Sequence, residues 1–134
     1  MNIDDYTSYF HDGSIINICH DEENIILSME SAEISPEENL HNIDLSENNT
    51  IKGKLHVEDV SSVLEGDELT PVQLKMLYDS AGILHFKIVE TTVWLDVEWV
   101  NYPPHPEITA YSFYVIKGNK IWWENIPDLY DPFG

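Results

Sequence analysis

The chain has 134 residues, with 25 acidic side chains against six lysines and no arginine, for a formal net charge of −19. Six dispersed lysines cannot build the basic face that displaces counterions from phosphates, which excludes nucleic acid as a ligand class, and so acidic a surface is repelled by anionic lipid headgroups. No stretch approaches the roughly 20 apolar residues of a spanning helix, yet 43% hydrophobic and 11% aromatic residues are too many for a disordered chain, so one globular domain over residues 1–134 is expected.

The start, Met1-Asn2-Ile3-Asp4-Asp5, has neither the basic end nor the apolar stretch of a signal peptide. Cys19, the only cysteine, lies in an apolar run and reads as a buried small hydrophobe. Both point to a reducing cytoplasm. Acidity is uneven: residues 1–67 hold 16 acids and 2 lysines, whereas residues 68–134 hold 9 acids and 4 lysines. No linker rich in Gly, Ser or Pro separates the halves, so the asymmetry describes two ends of one body.

Asp12-Gly13 reads as a turn into the first strand, with Phe10 packing inward and His11 unable to share a dyad hydrogen bond with its neighbour. Strands Ser14–His20 and Ile25–Glu33 flank Asp21-Glu22-Glu23-Asn24, an acidic hairpin connection. Ser35-Pro36-Glu37-Glu38 carries capping logic for a single helical turn. The strand Ile51–Val60 puts Ile51, Gly53, Leu55 and Val57 on one face and Lys52, Lys54, His56 and Glu58 on the other. Thr70-Pro71-Val72-Gln73 combines a capping hydroxyl, proline at the first helical position and glutamine three residues after the cap. With Leu74, Leu77, Tyr78 and Ala81 at helical spacing and Gly82 as a stop, it predicts the main helix over residues 70–81. Strands Ile83–Glu90, Thr92–Val100, Ile108–Ile116 and Lys120–Ile126 complete a meander, the last two joined by a turn at Lys117-Gly118-Asn119. About seven strands with one helix give an α+β class: β-rich, mostly antiparallel, with a curved or barrel-like sheet.

Familiar catalytic signatures are missing, including glycine-rich phosphate loops, the nucleophile elbow and zinc motifs. Without arginine there is no planar fork to clamp phosphate. The pairs Asp96/Glu98, His56/Glu58 and His105/Glu107 share a strand face by spacing, but two ligands do not make a transition-metal site. No metal and no cofactor are therefore expected. Asp96 and Glu98, with Trp94 on the same face, allow an acid and base for sugar chemistry if that face is concave; the plainer reading is an outward charged face. Of the adjacent Trp122 and Trp123, one at most enters the core. The other, with Tyr130 in an acidic, aromatic tail, offers hot-spot side chains for a protein interface.

Tyr9-Phe10-His11-Asp12-Gly13-Ser14-Ile15-Ile16, the acidic hairpin and Ile51-Lys52-Gly53-Lys54-Leu55 resemble the opening of small uncharacterised bacterial proteins, some of them immunity proteins of polymorphic toxin systems. The resemblance covers about residues 1–60. It implies a cytoplasmic, non-enzymatic inhibitor that occludes a toxin, often a basic nuclease. Residues and resemblance together describe an acidic binding protein for a basic protein partner, with Asp21, Glu22, Glu23, Asp96, Glu98, Trp122 and Tyr130 as interface candidates and none catalytic. The alternative is a small-ligand or carbohydrate-processing protein built on the Asp96/Glu98 pair.

Overall fold

The structure, a computed structural model, describes residues 2–38, 40 and 42–129. A 3-10 helix at Ile3–Phe10 precedes β1 (Ser14–Asp21) and β2 (Asn24–Glu30), and a single 3-10 turn follows at Pro36–Glu38. The remaining strands are β3 (Lys52–Glu58), β4 (Ser62–Glu65), β5 (Thr70–Pro71), β6 (Ser80–Val89), β7 (Thr92–Val100), β8 (Tyr111–Lys117) and β9 (Lys120–Asn125). They form one antiparallel sheet in the order β5-β4-β8-β7-β6-β1-β2-β3-β9, whose end strands do not pair. The β-rich antiparallel architecture agrees with the sequence pattern. Nine strands replace about seven, because β4 and β5 are too short to show a two-residue period.

Alternation decides which side each strand buries. On β7, Val93, Leu95, Val97 and Trp99 are at most 2% exposed, while Trp94, Asp96 and Glu98 face outward. On β3, Gly53, Leu55 and Val57 point inward and Lys52, Lys54, His56 and Glu58 outward. Phe10, from the N-terminal 3-10 helix, is fully buried and meets Phe86 of β6 and Trp123 of β9 edge-on, at ring distances of 5.3 and 5.6 Å. That ring ties strands from distant parts of the sheet order to one core. Trp99 turns its indole N–H to Ser112 Oγ at 2.8 Å, which satisfies the polar end of the largest fully buried side chain.

The helix predicted over residues 70–81 is absent. Thr70 and Pro71 belong to β5, Ser80 opens β6, and the residues between are irregular. The cause is the distance the segment must cover. The Leu74 carbonyl accepts from His20 Nε2 near the end of β1, and Gly82 pairs with Ser14 at its start. Ser14 to His20 on a strand is about 20 Å, whereas residues 74 to 82 wound as a helix would rise only about 12 Å. An extended path reaches, and it breaks the supposed stripe: Leu74 and Ala81 are fully buried, while Leu77 and Tyr78 are 45% and 37% exposed.

Strands β8 and β9 are consecutive but do not pair as a hairpin; β8 lies against β4 and β7, and β9 against β3. Glu58 opposes Lys120, and Ser62 opposes Lys117. The register therefore runs on from β3–β9 into β4–β8 with one extra residue on the β3–β4 side, as in a bulge. The four strands make one long two-stranded ribbon folded sharply at Asp59–Ser61 and Gly118–Asn119. Asp59 turns with φ 51°, and Asn119 N–H and Ser61 N–H donate to the Glu58 and Lys117 carbonyls, each at 2.8 Å.

Candidate functional site: the acid-rimmed depression at the hairpin tip

The fold in the ribbon positions the acidic hairpin. Asp21 pairs with Asn24, so only Glu22 and Glu23 form the turn, tighter than the four-residue connection expected, and Glu22 takes φ 57°. Val60 N–H donates to the Glu23 carbonyl at 2.8 Å and Asp59 N–H to Asn24 Oδ1 at 3.0 Å. Both ends of the turn are thereby fastened to the corner of the ribbon. Asp21, Glu22, Glu23 and Asp59 are all exposed, and backbone anchoring holds like charges together that would otherwise drift apart.

Between this tip and β4–β5 lies an open depression of about 340 Å³. Ile25, Val60, Val63, Val72 and Leu74 floor it, and His20, Glu22, Glu23 and Gln73 stand at its rim. Because His20 Nε2 donates to the Leu74 carbonyl, that nitrogen carries the proton and Nδ1 is the free acceptor when the ring is neutral. No lysine lines the depression. Its chemistry is that of a receptor for a cation on an aliphatic stem, with apolar contact below and oxygen acceptors above.

The other sequence candidates sit elsewhere. Asp96 and Glu98 stand on the outer face of β7, opposite His85 and Gly82 of β6 and Phe113 and Tyr111 of β8. The depressions at the hairpin tip, beside His85 and beside Asp79 are lined by other residues. Trp123 is 7% exposed and Trp122 37%, in line with one tryptophan inward. Trp122 stacks on the His56 ring at 3.9 Å and donates from Nε1 to Glu58 Oε2, while His56 Nε2 binds Glu124 Oε1 at 2.9 Å. This places it in a closed set of partners on the outer face of β3–β9, well away in the sheet order from Asp96. Tyr130 lies outside the described residues. Cys19 is exposed rather than buried, because it falls on the outward side of β1 beside Asn17.

One pairing had no signal in the sequence. His105, matched by spacing with Glu107, instead places Nδ1 2.8 Å from Asp79 Oδ2, where Tyr102 N–H also donates at 2.7 Å. The Tyr102 amide first, and His105 second, hold the Asp79 carboxyl below the ordinary carboxylate range. A separation of 26 residues across irregular chain hides this contact from any motif. No cluster of three or more metal-ligating side chains occurs among the described residues.

No family model, curated protein or solved structure matches the chain.

Proposed function

We propose that the protein is an acidic binding protein that engages a basic protein partner through the hairpin tip, receiving a lysine or arginine side chain in the depression below Glu22 and Glu23. The observation that carries this reading is the union of two anchored, exposed carboxylates with an apolar floor in one concavity. A partner's aliphatic stem gains contact on Ile25, Val63 and Val72, and its charged head meets the rim. Surplus negative charge on the whole chain accelerates encounter, an effect that salt screens. The likeness of about the first 60 residues to immunity proteins suggests the biological form: a bacterial, cytoplasmic inhibitor of a basic toxin.

The test is association of the purified protein with basic proteins encoded beside its gene, followed by surface plasmon resonance. Removing both rim charges with Glu22→Gln and Glu23→Gln should slow association about tenfold at low salt. The difference should shrink as ionic strength approaches ~0.5 M, where screening acts over a few ångströms. Absence of a complex with any neighbouring product, or a complex indifferent to both substitutions and salt, would refute the proposal.

A further inference from the structure

Strand register arranges a second, chemically different surface on the outside of β6, β7, β8 and β4. Three successive cross-strand rows are Lys87–Trp94–Val115–Leu64, His85–Asp96–Phe113 and Gly82–Glu98–Tyr111. Trp94 and Phe113 stack on the diagonal at 6.1 Å with 27° between planes. Trp94 is 37% exposed and Tyr111 61%, whereas Val115 beneath them is only 8% exposed. An aromatic line thus runs across β7 and down β8, with a row of carboxylates beside it on β7.

Size and charge select the occupant. Four strands at ~4.8 Å by three two-residue repeats at ~6.7 Å give roughly 300–400 Å², about half of the ~800 Å² each partner contributes to a standard protein interface. Lys87 within these rows, together with Lys117 one row beyond Val115 on β8, offsets Asp96 and Glu98, so the face and its border carry no net charge while the chain as a whole carries −19. A second copy brings another −19 and is repelled. An extended, uncharged, polyhydroxylated ligand fits: the C–H faces of sugar rings are weakly positive and are drawn to the negative faces of aromatic rings. The adjacent carboxylates accept hydroxyl hydrogens, and Lys87 donates.

We propose that this face is a binding platform for a neutral oligosaccharide, with Trp94 and Tyr111 as stacking residues and Asp96 and Glu98 as hydroxyl acceptors. It binds without cleaving, because the carboxylates stand on an open strand face, and it does not depend on the hairpin-tip reading. Native affinity electrophoresis in gels containing hydroxyethylcellulose, xylan, galactomannan or soluble starch tests it. The expected result is retardation in at least one gel, weakened tenfold or more by Trp94→Ala and by Tyr111→Ala separately. The Glu22→Gln/Glu23→Gln protein should be retarded as fully as the parent. Tyr111, mostly exposed, can be truncated without disturbing the core, so loss of folding in the Trp94 variant leaves the test intact. Migration unchanged in all four gels, retardation that survives both substitutions, or self-association in sedimentation that Trp94→Ala abolishes would each overturn the proposal.

Discussion

Gly118→Ala probes the fold in the ribbon directly. A Cβ at Gly118 would lie 2.7 Å from Val57 Cγ1 and 2.8 Å from the Glu58 carbonyl oxygen. Neither neighbour yields easily: Val57 is fully buried, and Glu58 O already accepts from Asn119 N–H at the corner. Gly118 does not occupy the left-handed region, so alanine should gain about 0.4–1 kcal/mol from a less flexible unfolded chain. Overpacking costs about 1–3 kcal/mol, which leaves a net destabilisation of roughly 1–2 kcal/mol. For a chain of this length, each kcal/mol moves Tm by ~3–5 °C, so the melt should fall by roughly 3–10 °C. Gly82→Ala is the matched control, because its nearest atom, Glu98 O, is an ordinary 3.6 Å away; that variant should be neutral or slightly stabilised. Thermal and urea unfolding followed by circular dichroism and tryptophan fluorescence would measure both. If Gly118→Ala melts at or above the parent, or Gly82→Ala falls as far, the close approach at the corner does not control stability and the reasoning is wrong.

Two further expectations concern polar contacts. Ser112→Ala strands the buried Trp99 N–H and should cost about 1–3 kcal/mol, read as a lower urea midpoint at unchanged slope; an unmoved midpoint would show that the indole finds another partner. Asp79 has a folded-state pKa below its unfolded value, so its contribution to stability is present above the unfolded range near ~3.9 and is lost as pH falls through the lower folded value. Asp79→Asn should therefore flatten the decline of Tm below about pH 4, more than His105→Ala does because the Tyr102 amide is the larger cause; parallel pH profiles for parent and Asp79→Asn would refute this.

What could be read from the sequence was whatever depends on neighbours along the chain. Thr92–Val100 is a strand with the predicted bounds, and the inward and outward sets on Ile51–Val57 hold, because burial on one face imposes a period of two. Phe10, Asp12 and Gly13 behave as expected, with Asp12 at φ 68° and Gly13 N–H bonded to the Phe10 carbonyl. The helix over 70–81 failed for a reason no local pattern carries: the span beside β1 is longer than those residues can cover when wound. The N-terminal 3-10 helix did leave a local trace, since Asn2 caps it and Ile3, Tyr6 and Phe10 follow at helical spacing, but the segment is only eight residues long and was legible solely as the approach to the turn at Asp12-Gly13. For the hairpin tip, the acids were visible but the concavity was not, since its floor comes from Val60, Val63, Val72 and Leu74, brought there by the ribbon's corner. Trp122 with His56, and His105 with Asp79, depend on long-range register and loop closure that a single strand's spacing does not encode.

The bent ribbon also shapes how the chain must be made. While residues 1–110 emerge, β3, β4 and β7 have their later partners β9 and β8 still unsynthesised, so open strand edges wait for the final segment. Such edges invite pairing with other nascent chains. The concentration of carboxylates in the first half gives growing chains a like charge that opposes such pairing until residues 111–125 are made and cover these edges.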